Sequence, residues 1–179
     1  LDISLDTLGI DQVQLEDRLN LGGKVLFITH ILGFSAFTNK LLELAKSNNL
    51  IIVEDVCESH GARFEGEKLG KIGDISNFSF YYAHHMTTIE GGMICTNDED
   101  LYDLTRMLRS HGLVRESFRN ETKERFYNKY PDLNPDFIFA HHSHNMRPTE
   151  LNGILGLSQL NRLDKNVLKR RRNLEIFLE

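Results

Sequence analysis

The sequence predicts an α/β fold built on a mostly parallel sheet. Short apolar runs rich in β-branched residues alternate with stretches of helical periodicity, the signature of βα units. Two of those runs end abruptly on a polar residue, His30 and Asp55, as strands do when their carboxyl ends face a ligand crevice. The composition is that of an ordinary globular domain: 179 residues, 40% hydrophobic and 26% charged, enough for one compact unit with a real core.

In chain order, "KVLFITH" (Lys24 to His30) reads as a buried strand by length and branched content. "AFTNKLLELAKSNN" follows as a helix, with Phe37, Leu41, Leu44 and Ala45 on one face. "LIIVED" (Leu50 to Asp55) is the next strand. Shorter strands are expected around Arg63 to Phe64, at "ISNFSFY" and at "GMICT". Thr96 then opens a helix with Glu99 at the capping-box spacing and Leu101, Leu104 and Leu108 as its stripe. From about Val114 to His144 the chain reads as a long polar connection containing Pro131 and Pro135, and such loops are more often functional than idle. Pro148 suits the first turn of a helix whose Leu151, Ile154, Leu155 and Leu163 share a side, and a second helix runs from about Lys165 to the end. The start at Leu1 and the apolar "NLEIFLE" at the other end predict a piece of a longer protein.

Several function classes fall away. A formal charge of −5 argues against a dedicated nucleic-acid binder. No apolar run approaches the roughly 20 residues of a membrane span, and no signal peptide precedes the first helix, so a cytoplasmic location is expected. Cys57 and Cys95 are too few for a thiolate zinc site or an iron–sulfur cluster and read as buried free thiols.

The residues with chemistry concentrate in two segments. In "VEDVCESHGA", Asp55 ends a strand, where a carboxylate can hold the protonated ring nitrogen of a heteroaromatic cofactor; capping the next turn is the bland alternative. Glu58, three residues on, can reach the same ligand or sit solvated in the turn. In "FSFYYAHHMTTIEGG", the Ser79 hydroxyl suits a phosphate, or is a satisfied strand serine. His84 and His85 suit a base, a metal pair or packing. On an extended segment they would point to opposite sides, which disfavours one shared metal. "HHSHNMRP" offers His142 and His144 on one strand face without a third ligand, and "KRRR" (Lys169 to Arg172) reads as a solvated helix face.

Taken in order, four blocks resemble the DegT/DnrJ/EryC1/StrS family of pyridoxal-phosphate sugar aminotransferases. They are "VLFITHILGFSAFTNKLLELAKSNNLIIVEDVCESHGA", "GKIGDISNFSFYYAHHMTTIEGGMICTNDEDL", "RSHG" and "HNMRPTELNGILGLSQLNRLD". The resemblance implies a three-layer α/β/α, aspartate-aminotransferase-like (fold type I) large domain. Residues 1–164 would be its central part, and residues 165–179 the start of a helix leading to a C-terminal small domain. It implies Asp55 on the pyridine nitrogen, Glu58 where most members have a glutamine near the ring hydroxyl, and Ser79 on the cofactor phosphate. Asn145 would reach the phosphate of a neighbouring subunit, making the site a property of a homodimer. In place of the family's Gly-Tyr before that asparagine stands Ser143-His144.

The family's cofactor-anchoring lysine lies five residues after the serine, and here that position is His84. Histidine there marks a branch of 3-dehydratases acting on nucleotide-linked 4-keto-6-deoxyhexoses through pyridoxamine phosphate, with the histidine as the proton-moving base; His85 is the alternative base. Members that use an iron–sulfur cluster carry cysteines after the "HG" block. "HGLVRESFRNETKERF" has none, so the resemblance implies the style that regenerates pyridoxamine phosphate from pyridoxal phosphate with glutamate. An ordinary aminotransferase with its lysine supplied by Lys68 or Lys71, and a non-catalytic homologue, are the competing readings.

Overall fold

The computed structural model describes residues 1–179. The chain forms two compact units, Leu1–Cys95 with Glu150–Glu179, and Thr96–Thr149. The first contains α1 (Gln12–Leu19), β1 (Val25–Thr29), α2 (Asn39–Ser47), β2 (Ile51–Asp55), β3 (Arg63–Phe64), β4 (Glu67–Lys68), β5 (Ile75–Ser79), β6 (Gly92–Thr96, reaching the boundary) and α5 (Glu150–Leu178). The second contains α3 (Glu99–Leu108) and α4 (Asn120–Lys129). The main sheet has the order β1-β2-β5-β6, and both β1–β2 and β2–β5 are parallel, in register Val25 with Ile51 and Val53 with Ile75. The mostly parallel α/β architecture expected from the sequence is therefore present. β3 and β4 make a separate antiparallel hairpin.

Leu26 and Ile28 of β1, Ile52 of β2, Leu15 of α1, and Leu41 and Ala45 of α2 form the core with Ala36, Phe37, Val56 and Leu69. Each fully buried aliphatic side chain contributes about 1.5–3 kcal/mol by leaving water. β1 departs from the fully buried strand expected: its burial alternates, and Phe27 is 55% exposed. Its apolar residues point to both sheet faces, as in strands of parallel sheets covered on both sides, whereas the core built by this chain lies on one. α2 begins two residues after Phe37, because the Thr38 hydroxyl accepts from Leu41 N and caps it.

Three expectations need correction. The helix foreseen from Thr96 starts at Glu99, because the Asp98 carboxylate takes the amides of Asp100 and Leu101; Thr96 belongs to β6 and its hydroxyl accepts from Asp98 N. The long polar connection from Val114 to His144 contains α4, along with short 3-10 turns at Val114–Glu116 and Pro135–Phe137. The two helices expected on either side of residue 164 are one. No glycine or proline interrupts the chain there, so α5 continues unbroken, and Pro148 lies before its first turn. Leu151 and Ile154 on that helix are exposed, while Leu163 is buried.

Within the second unit, Asp103 is buried and accepts from the Ser117 hydroxyl (2.7 and 2.8 Å) and Phe118 N (2.8 Å), which ties α3 to the turn before α4. No helix of the chain is long and apolar enough to cross a membrane.

Candidate active site

The polar residues of the first unit gather at the carboxyl ends of β1, β2 and β5, and the deepest of them are scaffold. Glu54 is fully buried. Its carboxylate accepts from Gly70 N (2.6 Å), Ile72 N (2.8 Å), Gly73 N (2.5 Å) and the ring of His30 (3.2 Å). Ala36 N donates to Nδ1 of His30, so the ring proton sits on Nε2 and points at Glu54. Burial pushes the Glu54 carboxyl up, but the His30 bond and the Gly73 and Gly70 amides outweigh it and hold it below the usual carboxylate range. His30, which the sequence placed at the ligand end of its strand, is thus spent inside the protein. This network fixes the loop that leads into β5.

One residue further along, Asp55 faces outward from the strand end. Its Oδ1 accepts from Cys57 N (3.1 Å) and Asn77 Nδ2 (3.0 Å). Asn77 also donates to Cys57 Sγ (3.3 Å). Burial first, and then Asp55, push the Cys57 thiol up to about 11, so it is an inert thiol. Asn77 was not singled out from the sequence. Its position two residues before Ser79, on the same strand face, was the available signal.

Glu58 is neither free nor idle. Its Oε2 accepts from Leu32 N (2.9 Å), in the turn after β1, where Leu32 has φ +56°. Ser79 ends β5 and its hydroxyl accepts from Tyr81 N (3.3 Å). Asp55, Glu58 and Ser79 therefore share the carboxyl ends of β2 and β5.

His84 and His85 require a correction. The segment is a turn, with His84 N donating to Tyr81 O (3.1 Å), so the two rings do not point to opposite sides. Both pack against a third histidine, His60, at ring-centroid distances of 6.2 and 5.6 Å. Burial, and then the charges of Arg170 and His84, push His85 below its usual range against an opposing pull from Glu58. His84 also lies edge-on to Tyr81, at 6.0 Å. The turn is pinned to α5 by Gln159, whose side chain bonds Thr87 N (3.0 Å) and Thr87 O (2.6 Å). Gly156 of α5 passes close to Thr88, and a Cβ on it would stand 3.3 Å from the threonine methyl.

Asn145 belongs to the second unit. It is exposed, bridges Ser110 in antiparallel fashion, and its Oδ1 takes a long 3.4 Å bond from Arg147 Nε. His111 beside that bridge adopts φ +60° and donates its amide to His144 O. His142 and His144 are exposed, and no group of three His, Cys, Asp or Glu side chains is arranged to hold a metal ion. Lys68 and Lys71 lie on and beside the β3–β4 hairpin; Lys71 Nζ is bonded to Glu67 (2.7 Å), and Lys68 stands 4.0 Å from Asp164. A cavity of about 120 Å³ lined by Leu15, Leu19, Leu26 and Leu50 lies at the amino end of β1, opposite the end that carries these residues.

An aromatic, phosphorylated cofactor with a protonated ring nitrogen fits this donor set. A carboxylate stands at a strand end, a serine hydroxyl shares the same sheet edge, and buried imidazole nitrogens without a well-formed bond lie beside them.

The chain is 32% identical along its whole length to GDP-4-keto-6-deoxy-D-mannose 3-dehydratase of Escherichia coli O55:H7, covering 46% of that protein. It is 33% identical over 166 residues to GDP-perosamine synthase of Caulobacter vibrioides, 93% of this chain and 40% of that one. A solved GDP-4-keto-6-deoxymannose-3-dehydratase with a trapped PLP–glutamate geminal diamine superposes with a TM-score of 0.87 at 31% identity, over 99% of this chain and 46% of the other. The chain thus spans less than half the length of the curated relatives it matches. The family model of the DegT/DnrJ/EryC1/StrS aminotransferases matches residues 1–179. By that match, the chain belongs to the DegT/DnrJ/EryC1/StrS aminotransferase family.

Proposed function

We propose that this chain is the central part, residues 1–164, of the cofactor-binding domain of a lysine-less 3-dehydratase, with residues 165–179 leading toward a small domain. The substrate is a nucleotide-linked 4-keto-6-deoxyhexose, and the setting is deoxysugar or lipopolysaccharide biosynthesis. The single observation that carries the reading is His84, five residues after Ser79 in the segment that follows β5. The relatives with dehydratase names match this chain end to end.

In this reading Asp55 holds the ring nitrogen of pyridoxal or pyridoxamine phosphate, Glu58 stands near the ring hydroxyl, and Ser79 binds the phosphate. Asn145 serves the phosphate of the partner protomer in a homodimer. Its exposure in the isolated chain supports that role. The cofactor, when bound, supplies an amine for the C4 ketone and an electron path toward the C3–oxygen bond. His84 carries the proton at the cofactor's C4′ carbon, with His85 as the alternative carrier. An imidazole suits that task near neutral pH, and it cannot anchor the cofactor as a lysine amine does. Glutamate restores the amine.

An aminotransferase is the competing reading, because GDP-perosamine synthase is as similar in identity. It needs a lysine, and both candidates, Lys68 and Lys71, are exposed on the hairpin side, with Lys71 engaged by Glu67. The test is an absorbance spectrum of the complete protein with pyridoxal phosphate, before and after borohydride, followed by glutamate. The expected result is no cofactor fixed by borohydride, conversion to the pyridoxamine form by glutamate, and loss of the C3 oxygen from a 4-keto nucleotide sugar. Borohydride fixation onto a lysine would overturn it.

A further inference from the structure

His60 lies in the turn between β2 and β3 and is 4% exposed, yet neither of its ring nitrogens makes a well-formed hydrogen bond in the chain, the Ser79 backbone being a loose partner within reach. Nδ1 of His85 is buried and unpartnered in the same way. Buried polar groups are almost always paired, and an unpaired one costs about 1–3 kcal/mol, so three imidazole nitrogens without a well-formed bond in one place call for an explanation. The two rings stand 5.6 Å apart between centroids. Imidazoles joined by one N–H···N bond, with nitrogens about 2.9–3.0 Å apart, have centroids about 5 Å apart. The separation is therefore within reach of that bond once the rings turn a nitrogen toward each other.

The surroundings narrow what His60 can be. Phe78 of β5 and Phe80, just beyond its end, flank it at 5.9 and 5.8 Å. Gly61, next in the chain, has φ +81°, and a Cβ there would stand 3.1 Å from Val167 on α5, so the turn is packed in place. Burial, then the neighbouring His85 and His84, push His60 down to about 4, against a weaker opposing pull from the Ser79 backbone. At neutral pH the ring is uncharged, with one N–H to donate and one lone pair to accept.

We propose that His60 is a positioning residue of the site: its buried ring hydrogen-bonds Nδ1 of His85 in the working enzyme, fixing the tautomer of His85 and the placement of the His84-His85 turn. The pair forms the floor, and His84, in ring contact with both His60 and Tyr81, is the imidazole left to meet a ligand. The proposal rests on the reading of this turn as the proton-carrying segment. Charged groups acting on the pair are Glu58 from the turn after β2, Arg170 from α5, and His84 when protonated.

The test uses the complete protein labelled with 15N-histidine, without added cofactor, and follows the ring nitrogen shifts from pH 4 upward. His60 is expected to stay neutral to about pH 4, and His85 to show a single tautomer. In His60→Leu, which keeps an apolar side chain of similar size, His85 becomes a mixture of tautomers. The glutamate-driven conversion of bound pyridoxal phosphate then slows about tenfold to a hundredfold, as for a misplaced reacting group, with cofactor affinity unchanged. His60→Gln, which restores a donor and an acceptor, recovers the single tautomer and most of the rate. An identical tautomer population at His85 in the parent and His60→Leu proteins overturns the proposal, as does an unchanged rate. If the parent protein fails to convert pyridoxal phosphate while the tautomer change is present, the dehydratase reading falls and the His60–His85 pair stands.

Discussion

Two buried polar clusters sit within a few residues of each other at the end of β2, and they are built on opposite principles. Around Glu54 every group is matched: three loop amides and the His30 ring converge on one carboxylate. Around His60 the matching is poor: three imidazole nitrogens lie among aromatic rings without a well-formed bond, and only the Ser79 backbone stands as a loose partner. A saturated network specifies one conformation and holds it, since any movement would leave a buried donor or charge unpaired. An unsaturated one leaves hydrogen-bonding capacity for something that arrives or moves. The first is scaffold, and the second lies beside the residues that the family resemblance assigns to chemistry.

The sharpest way to break this comparison is to remove the hub of the saturated cluster. Glu54→Ala leaves three amides and the His30 N–H unpaired in the interior, and we expect a loss of about 3–5 kcal/mol, the cost of stripping one partner from a buried charged network. Urea unfolding of the complete protein reads it as a lowered midpoint. A loss below about 1 kcal/mol would mean that water replaces the carboxylate without difficulty, and the contrast would fail.

The unsaturated cluster should respond far less. His60→Leu removes two poorly paired nitrogens from an apolar pocket but orphans Nδ1 of His85, so the two effects offset and stability is expected to stay within about 1 kcal/mol of the parent. The pH dependence gives the same comparison a second readout. His60 is held neutral down to about 4 in the folded protein, while an unfolded histidine takes a proton near 6.5. Its contribution is therefore complete above about 6.5 and is lost as pH falls toward about 4. Glu54, whose carboxyl is depressed, contributes above the ordinary carboxylate range and loses that contribution as pH falls through its folded value. In His60→Leu the decline between neutral and mildly acid pH should flatten, leaving only the steeper loss at lower pH. An unchanged slope in urea midpoints measured from pH 7 to 5 would refute the assignment of His60.

The sequence made neither of these clusters legible, although it pointed to the residues beside them. Asp55 and Ser79 end strands that their branched apolar runs announce, and the spacing from Ser79 to His84 could be read directly. His60 sits in a Ser-His-Gly turn without periodicity, and His84 and His85 come beside it only once β2 and β5 pair. The same limit explains α4: "NETKERFYNK" buries none of its residues, so no apolar stripe marks it as a helix. At the start of α3, Thr96 and Asp98 are both good caps, and only the folded amide geometry decides for Asp98. β1 carries apolar residues on both sides, which reads as double burial, although this chain's core covers one face.

The second unit offers the mildest version of the comparison. Asp103 is buried and saturated like Glu54, but its partners differ in kind: a serine hydroxyl and the amide of Phe118. Removing one donor there leaves the carboxylate with the other, and the hydroxyl that goes takes its own desolvation cost with it. Ser117→Ala should therefore cost only about 1 kcal/mol, the net worth of one ordinary hydrogen bond, read again as a urea midpoint. A cost near that of Glu54→Ala would mean that saturation alone sets the penalty, whatever the number of donors lost. A value near 1 kcal/mol instead ties the penalty to how many buried groups are orphaned at once, which is the property that separates the Glu54 network from the Asp103 contact.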